Sequence, residues 1–161
     1  MLKIRFKTTL YLILLFSFFA LITAYFVQYV LGHQPCNLCL IERIPYFSSI
    51  IIILFCFFSK KFEKISIIII SLIFFIATLL SFYHFGIEQG LIKESLVCDL
   101  NIKNNLLTKE ALLNHFKREI ISCKDVTFKI YGLSLATINI FISLILSIIT
   151  LRIFLIYEKN K

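Results

Sequence analysis

Four long apolar runs divide this chain and limit the folds that are open to it. The runs cover residues 8–31, 44–59, 65–83 and 130–151. The first run would form about 36 Å of helix at ~1.5 Å per residue, which exceeds the ~30 Å hydrocarbon core of a bilayer. A signal peptide has a much shorter apolar region and ends in small residues, which this run lacks. We therefore predict an all-α four-helix transmembrane bundle, with residues 1–161 as one integral membrane domain.

The composition agrees with a membrane protein. Hydrophobic residues make up 60% of the 161 residues, whereas soluble domains have about 45–50%. In a soluble protein the net charge of +8 would suggest nucleic acid as a partner. Here the lysines and arginines lie at the ends of the apolar runs, where they orient a protein in the bilayer. We predict contact with membrane lipid and none with nucleic acid.

The distribution of basic residues indicates the orientation of the bundle. Four spans place both termini and the connection at 60–64 on one side, and the loops 32–43 and 84–129 on the other. The first side holds nine basic residues and the short loop 32–43 holds only Arg43. Because Lys and Arg are enriched in cytoplasmic segments, we predict cytoplasmic termini and external loops. The nine are Lys3, Arg5, Lys7, Lys60, Lys61, Lys64, Arg152, Lys159 and Lys161.

The long loop 84–129 carries a short amphipathic segment. Thr108 can N-cap a helix over residues 109–121. Its apolar residues fall on one face at helical spacing, and basic residues occupy the other faces. This pattern predicts a helix lying on the membrane surface, although a helix packed on other loop residues fits equally well. The apolar face is formed by Leu112, Leu113, Phe116 and Ile120.

Four of the five cysteines lie in the external loops, and an even number predicts two disulfides. Cys36 and Cys39 have the C-x-x-C spacing, which can close a small and readily exchanged ring. A second disulfide is predicted between Cys98 and Cys123, which stand on either side of the loop helix in sequence. This second disulfide either only stabilises the loop or takes part in thiol–disulfide exchange. Cys56 lies within an apolar run and is predicted to be inert.

The C-x-x-C motif has several possible uses. A c-type haem site requires histidine directly after the second cysteine, where this chain has Leu40. A zinc site of four cysteines would need Cys98 and Cys123 close together in sequence, so no metal site is predicted. A structural disulfide stays open as an alternative. The position of the motif at a membrane edge, beside an arginine, favours redox chemistry.

Two charged or titratable side chains are candidates to assist the cysteines. If residues 38–58 are helical, Arg43 stands four positions after Cys39 and can stabilise a Cys39 thiolate. The same guanidinium could donate to a carbonyl of a lipid-soluble acceptor. His84 and Glu88 stand at the i, i+4 spacing of a helix. They can form a pair with each other, support a site near Arg43, or serve as polar residues at the membrane interface.

Together these features resemble the DsbB family of bacterial inner-membrane disulfide bond formation proteins, including its DsbI relatives. The resemblance covers nearly the whole chain, and its most specific part is the cysteine–arginine motif together with the two later cysteines. The motifs are Pro35-Cys36-x-Leu38-Cys39-x-x-Glu42-Arg43, Tyr83-His84-x-Gly86-x-Glu88, Cys98, Cys123, Gly132-Leu133-Ser134-Leu135-Ala136 and Asn139.

The resemblance implies a thiol:quinone oxidoreductase with its cysteine loops in the periplasm. The implied partner is a thioredoxin-fold oxidase of the DsbA type, whose thiolate attacks the Cys98–Cys123 disulfide at Cys98. Cys123 then exchanges with Cys36, and the freed Cys39 passes electrons to a quinone (ubiquinone or menaquinone) held by Arg43. The quinol returns the electrons to the respiratory chain. The implied site residues are Cys36, Cys39, Cys98 and Cys123 for catalysis, Arg43 and His84 for quinone, with disulfides Cys36–Cys39 and Cys98–Cys123.

Two other functions stay open at this point. A non-catalytic four-helix membrane protein with two structural disulfides would keep both bridges closed, whereas the enzyme would cycle them when a reduced partner is supplied. A quinone-linked protein resembling vitamin K epoxide reductase shares the chemistry but is expected to have a different cysteine layout, so it is less favoured.

Overall fold

The computed structural model of the protein describes residues 2–58, 62–93, 98, 122–124, 128–130 and 132–159. The described part is mostly helical, with one short antiparallel strand pair. In chain order the elements are α1 (Leu2–Tyr29), α2 (Asn37–Ile41), α3 (Ile44–Phe58), α4 (Glu63–Glu88), β1 (Lys129–Ile130), β2 (Leu133–Ser134) and α5 (Leu135–Lys159). The helix predicted over 109–121 lies outside the described residues.

Four helical segments are long and apolar enough to cross a membrane, which confirms the predicted number of spans and makes this a multi-pass membrane protein. They cover Lys7–Tyr29, Asn37–Phe58, Glu63–Glu88 and Leu135–Ile156. Many large apolar side chains point outward from these helices. Such a surface is stable only in contact with lipid.

Three spans in the structure differ from their predicted bounds, each for a local reason. The second span begins at Asn37 rather than 44, because α2 and α3 together make the crossing. The third continues beyond 83 to Glu88, because the last turns of α4 are buried in the bundle. The fourth helix starts at Leu135 rather than 130 because a hairpin precedes it, with Gly132 at a φ of 82°. Glycine adopts this left-handed conformation without the cost that a Cβ imposes.

Small hydroxyl side chains occupy the interior between the helices. Ser71 on α4 and Ser147 on α5 donate to each other's backbone carbonyls, at 3.3 and 3.2 Å. The hydroxyls of Ser17 and Ser49 lie 3.1 Å apart between α1 and α3. Small residues let helices approach closely in lipid, where no hydrophobic driving force brings them together. The interior is therefore partly polar.

The apolar core lies around the middle of α3 and α4. Ile53, Ile70 and Phe74 are completely buried there. The Tyr46 ring packs edge-on against Phe74, with centroids 5.7 Å apart. Cys56 is buried in the same cluster, consistent with its predicted place inside a span. This core holds α3 against α4 and so fixes the position of the C-x-x-C motif, which precedes α3.

Candidate redox site

Cys36 and Cys39, here called the inner pair, meet at the start of α2. Cys36 is the N-cap of this helix, with an extended backbone (φ −70°, ψ 169°). Its Sγ accepts a hydrogen bond from the Cys39 backbone N–H at 3.3 Å and lies 2.7 Å from the Cys39 Sγ. No bond joins the two sulfurs in this structure. The structure therefore places the two cysteines in direct contact, and the Cys36–Cys39 disulfide stays a prediction.

Cys98 and Cys123, here called the outer pair, are joined by a disulfide. Both residues are buried and pack in one apolar cluster with Cys36, Leu38 and Ile87. The Asn37 side chain donates to the Cys98 carbonyl at 3.3 Å. The fold therefore brings the two cysteine pairs together, although more than 50 residues separate them in sequence.

His84 lies beside the inner pair at the end of α4, with only 2% of its surface exposed. Its Nε2 is 3.5 Å from the Cys36 Sγ, and its Nδ1 is 2.9 Å from the Glu42 Oε1. The Glu88 Oε1 lies 3.8 Å from the same Nε2. The ring thus links a cysteine to a carboxylate, a position that the i, i+4 spacing of His84 and Glu88 did not reveal.

Glu42 is a site residue that our reasoning from sequence missed. It is 8% exposed, and its Oε2 accepts from the Asn139 Nδ2 at 3.1 Å. Asn139 also donates to the Ser81 Oγ at 2.8 Å and accepts from the Tyr46 hydroxyl. The available signals were a carboxylate at the edge of a span and its place in the Cys-x-x-Glu-Arg motif. Helices α4 and α5 therefore hold Glu42 through His84 and Asn139, and Glu42 orients His84.

Arg43 does not stand on one continuous helix with Cys39, contrary to our expectation. Helix α2 ends at Ile41 and α3 begins at Ile44. Pro45 accounts for the break, because it has no N–H to bond to the Ile41 carbonyl, and it stands in the first turn of α3, where proline is tolerated.

The break turns the Arg43 guanidinium toward α1. There its Nη1 donates to the Gln28 Oε1 at 2.7 Å, and the group lies 5.0 Å from the centre of the Tyr25 ring. A cation over the face of an aromatic ring is attracted by the ring quadrupole. These two contacts hold the charge of Arg43 at the edge of a cavity.

The environment of Cys36 favours its thiolate. The pKa of Cys36 is lowered to about 5, chiefly by the hydrogen bond from the Cys39 thiol, while burial opposes this change. A hydrogen bond from His84 and the charge of that ring contribute to the lowering. In the dithiol form the negative charge is thus favoured on Cys36. A Cys39 thiolate held by Arg43 was predicted only for a continuous helix over 38–58. A thiolate is the reactive form of cysteine in exchange and in metal binding.

A cavity of about 350 Å³ connects these groups. Cys36, Cys39, Arg43, His84, Cys123 and Phe128 are among its lining residues. Phe16 and Phe19 of α1 also line it and are 38% and 68% exposed on the outer surface. The cavity therefore joins the cysteines to the surface that faces lipid. Its polar groups include two sulfurs and a guanidinium, and its remaining wall is largely apolar.

The inner pair and His84 also form a possible metal-binding group. The two Sγ atoms and a ring nitrogen of His84 all lie within 4.8 Å of one another. The four loop cysteines do not form such a group with each other in the described structure, because the outer pair is bonded.

Comparisons with known proteins agree with this geometry. The family model described as "Disulfide bond formation protein DsbB" matches residues 6–153. The chain is also similar to the uncharacterized protein RP370 of Rickettsia prowazekii (strain Madrid E), with 30% identity over 161 residues that cover 99% of this chain and 93% of that protein. No solved structure matches the chain. On the family match, which includes all four loop cysteines, the chain belongs to the DsbB family of disulfide bond formation proteins.

Proposed function

We propose that this protein is a membrane thiol:quinone oxidoreductase that reoxidises a periplasmic dithiol oxidase of the DsbA type. Family membership makes it part of the disulfide bond formation machinery and a disulfide oxidoreductase. The observation that carries the finer proposal is that both cysteine pairs share one buried cluster, beside a cavity that reaches the lipid-facing surface. A structural role for the inner pair would not require an opening toward the membrane.

The first proposed step is exchange at the outer pair. A thiolate of the reduced partner attacks the Cys98 sulfur, the Cys98–Cys123 bond breaks, and Cys123 leaves as a thiolate. The partner's second thiol then breaks the mixed disulfide at the partner's own sulfur, and the partner leaves oxidised. Two electrons have passed to this chain. Attack at a disulfide sulfur through a mixed disulfide is the general course of such exchange.

The second proposed step moves those electrons inward. With the inner pair oxidised, the Cys123 thiolate attacks Cys36, a Cys36–Cys123 bond forms, the Cys36–Cys39 bond breaks, and Cys39 is released as a thiolate. Cys98 then attacks Cys123, so that the outer disulfide forms again, Cys36 leaves as a thiolate, and the two electrons are on the inner pair. The short route between the pairs is supported by the packing of Cys36 with Cys98 and Cys123 in one cluster. Because the pKa of Cys36 is low, about 5, Cys36 can act as the thiolate nucleophile when exchange runs in reverse, from the inner pair to the outer pair.

The cavity is compatible with a quinone head group. Its volume of about 350 Å³ falls in the range of about 300–1,000 Å³ that is usual for small-molecule sites. Arg43 and His84 would donate to the ring oxygens, and the aromatic residues of α1 would contact the ring and its tail. When bound, a quinone supplies the acceptor for two electrons from the dithiol. Both ubiquinone and menaquinone meet this description, and reoxidation of the quinol connects the protein to the respiratory chain.

We also propose that both termini face the cytoplasm and that the cysteines face the periplasm. The support is the excess of basic residues at the termini and at 60–64, against the single Arg43 in the loop 32–43. This orientation places the outer pair on the same side of the membrane as a periplasmic partner, in an oxidising compartment.

The decisive experiment mixes the purified protein anaerobically with quinone and a reduced DsbA-type protein and follows quinone absorbance. The expected result is quinone reduction that matches the partner oxidised. The Cys39→Ser variant should abolish quinone reduction, while Cys56→Ser, the matched control, should retain it. A Cys39→Ser protein that is inserted, folded and fully active would overturn the assignment.

A further inference from the structure

The inner pair in its dithiol form makes, with His84, a set of donors that suits a thiophilic divalent cation. Their ligand atoms all lie within 4.8 Å of one another. Thiolate sulfur and imidazole nitrogen are the ligands that Zn²⁺ uses most, and a spacing of two residues between cysteines is common in its sites. The sequence suggested a zinc site only for the four loop cysteines, because spacing along the chain does not show that His84 lies beside the motif.

The distances agree with tetrahedral zinc after a small adjustment. Zn–S bonds of about 2.3 Å and Zn–N bonds of about 2.0–2.1 Å place a sulfur and a nitrogen ligand about 3.6 Å apart. The Cys36 Sγ and His84 Nε2 are 3.5 Å apart. Two sulfur ligands would be about 3.8 Å apart, whereas the Cys36 and Cys39 sulfurs are separated by 2.7 Å. Cys39 is half-buried and faces the cavity, so a side-chain rotation can open the pair.

Glu42 gives His84 the orientation found in zinc sites. A metal-bound histidine nearly always donates its other ring N–H to a carboxylate or carbonyl, which fixes the tautomer. Here the Nδ1 lies 2.9 Å from the Glu42 Oε1, so the Nε2 is left facing Cys36. Glu42 is itself held by Asn139 at 3.1 Å. The hydrogen bonds that orient the His84 ring for metal binding are thus present without a metal.

Glu88 lies next to this group without belonging to it. Its Oε1 is 3.8 Å from the His84 Nε2, and its side chain is 7% exposed. Three protein ligands leave the fourth position of a tetrahedral zinc site for water. The backbone N–H of Cys39 also donates to the Cys36 Sγ at 3.3 Å, a bond that stabilises negative charge on this sulfur.

We propose that the reduced inner pair binds one Zn²⁺ through Cys36, Cys39 and His84, with the fourth position open to water from the cavity. Zn²⁺ binds thiolates and neutral imidazole, so binding releases the Cys39 thiol proton and the Nε2 proton that His84 donates to the Cys36 thiolate, and it moves no electrons. A bound ion blocks both sulfurs, so the inner disulfide cannot form again until the ion leaves. This last consequence rests on the proposed function, whereas binding of the metal does not.

The test measures metal binding without quinone or partner. The full-length protein in detergent micelles carries Cys98→Ser, Cys123→Ser and Cys56→Ser, so that a reductant exposes only the inner pair. Zn²⁺ is titrated in competition with a chromophoric chelator, and Co²⁺ serves as a spectroscopic probe. We expect one Zn²⁺ per chain, and for Co²⁺ a thiolate-to-metal charge-transfer band with the d–d spectrum of a tetrahedral site.

Variants in the same background assign the ligands. Cys39→Ser and His84→Gln should abolish stoichiometric binding, and Glu42→Gln should weaken the affinity by about 10–100-fold, as expected for a residue that supports a metal-bound histidine. His33→Ala is the matched control, because His33 is not in the group of metal donors, and it should bind as the parent does. Helicity by circular dichroism checks that each variant is folded.

Two outcomes would overturn the proposal. One is the absence of stoichiometric Zn²⁺ binding by the folded, reduced parent protein. The other is binding that His84→Gln leaves unchanged. Because neither measurement involves electron transfer, failure here is distinguishable from failure of the oxidoreductase assay, in which quinone reduction is followed without added metal.

Discussion

The Cys39 thiol should control the acidity of Cys36, and a pair of substitutions can measure how strongly. The hydrogen bond between the two sulfurs is the largest cause of the low pKa of Cys36, about 5. Cys39→Ser keeps an O–H donor at this position, while Cys39→Ala removes the donor. Hydrogen bonds to charged groups contribute about 1.5–3 kcal/mol, which corresponds to about 1–2 pKa units at ~1.36 kcal/mol per unit. The pKa of Cys36 should therefore be about 1–2 units higher in Cys39→Ala than in Cys39→Ser.

The pH dependence follows from the sign of this change. A cysteine with a pKa of about 5 is roughly 90% thiolate at pH 6, whereas an unperturbed thiol with a pKa of ~8.5 is about 0.3% thiolate. Thiolate is lost as the pH falls through the pKa, so alkylation should slow only in acid. Raising the pKa by about 1–2 units lowers the thiolate fraction at pH 6 by about 2- to 10-fold.

The assay is the rate of iodoacetamide alkylation between pH 4 and 9, with Cys56→Ser in both proteins and the outer disulfide left closed. Cys36 is then the only free thiol, and peptide mass spectrometry verifies that it carries the label. The Ser variant should have the lower midpoint. Equal midpoints in the Ser and Ala variants would refute the reasoning, since they would show that the hydrogen bond from residue 39 does not stabilise the thiolate.

Three further changes test other parts of the site. Arg43→Ala should raise the KM for quinone several-fold and leave the KM for the reduced protein partner unchanged, and an effect confined to the partner would mean that Arg43 is misassigned. Asn139→Leu removes hydrogen bonds to Glu42, Ser81 and Tyr46. The free energy of unfolding, measured by thermal denaturation in detergent, should therefore fall by about 3 kcal/mol, and an unchanged melting temperature would contradict the role of this network. Gly132→Ala should cost about 1–2 kcal/mol in the same assay, because its φ of 82° is unfavourable for a residue with a Cβ, and Gly132→Asn should cost less.

The span pattern and the cysteine candidates could be predicted because both depend on neighbours in sequence. Hydropathy over 20 or so residues decides whether a helix can cross a bilayer, whatever surrounds it. Spacing alone likewise marks Cys36 and Cys39 as a pair. The ends of the spans were harder to predict. Helix α4 extends to Glu88 because its last polar side chains have partners inside the bundle, and a hydropathy count has no access to those partners.

The contacts around the inner pair were decided only by the tertiary structure. Glu42 meets His84 across 42 positions of sequence and Asn139 across 97. Because the helix breaks before Pro45, the Arg43 guanidinium donates a hydrogen bond to Gln28 on α1 and does not point to Cys39. A buried carboxylate needs hydrogen-bond donors, and the sequence shows which donors exist but not which helices meet. The sequence by itself thus determined the four membrane spans, the cysteines and their likeness to the DsbB family. The packing of α1, α3, α4 and α5 decided which side chains surround those cysteines, because contacts between distant segments depend on how the helices fit together.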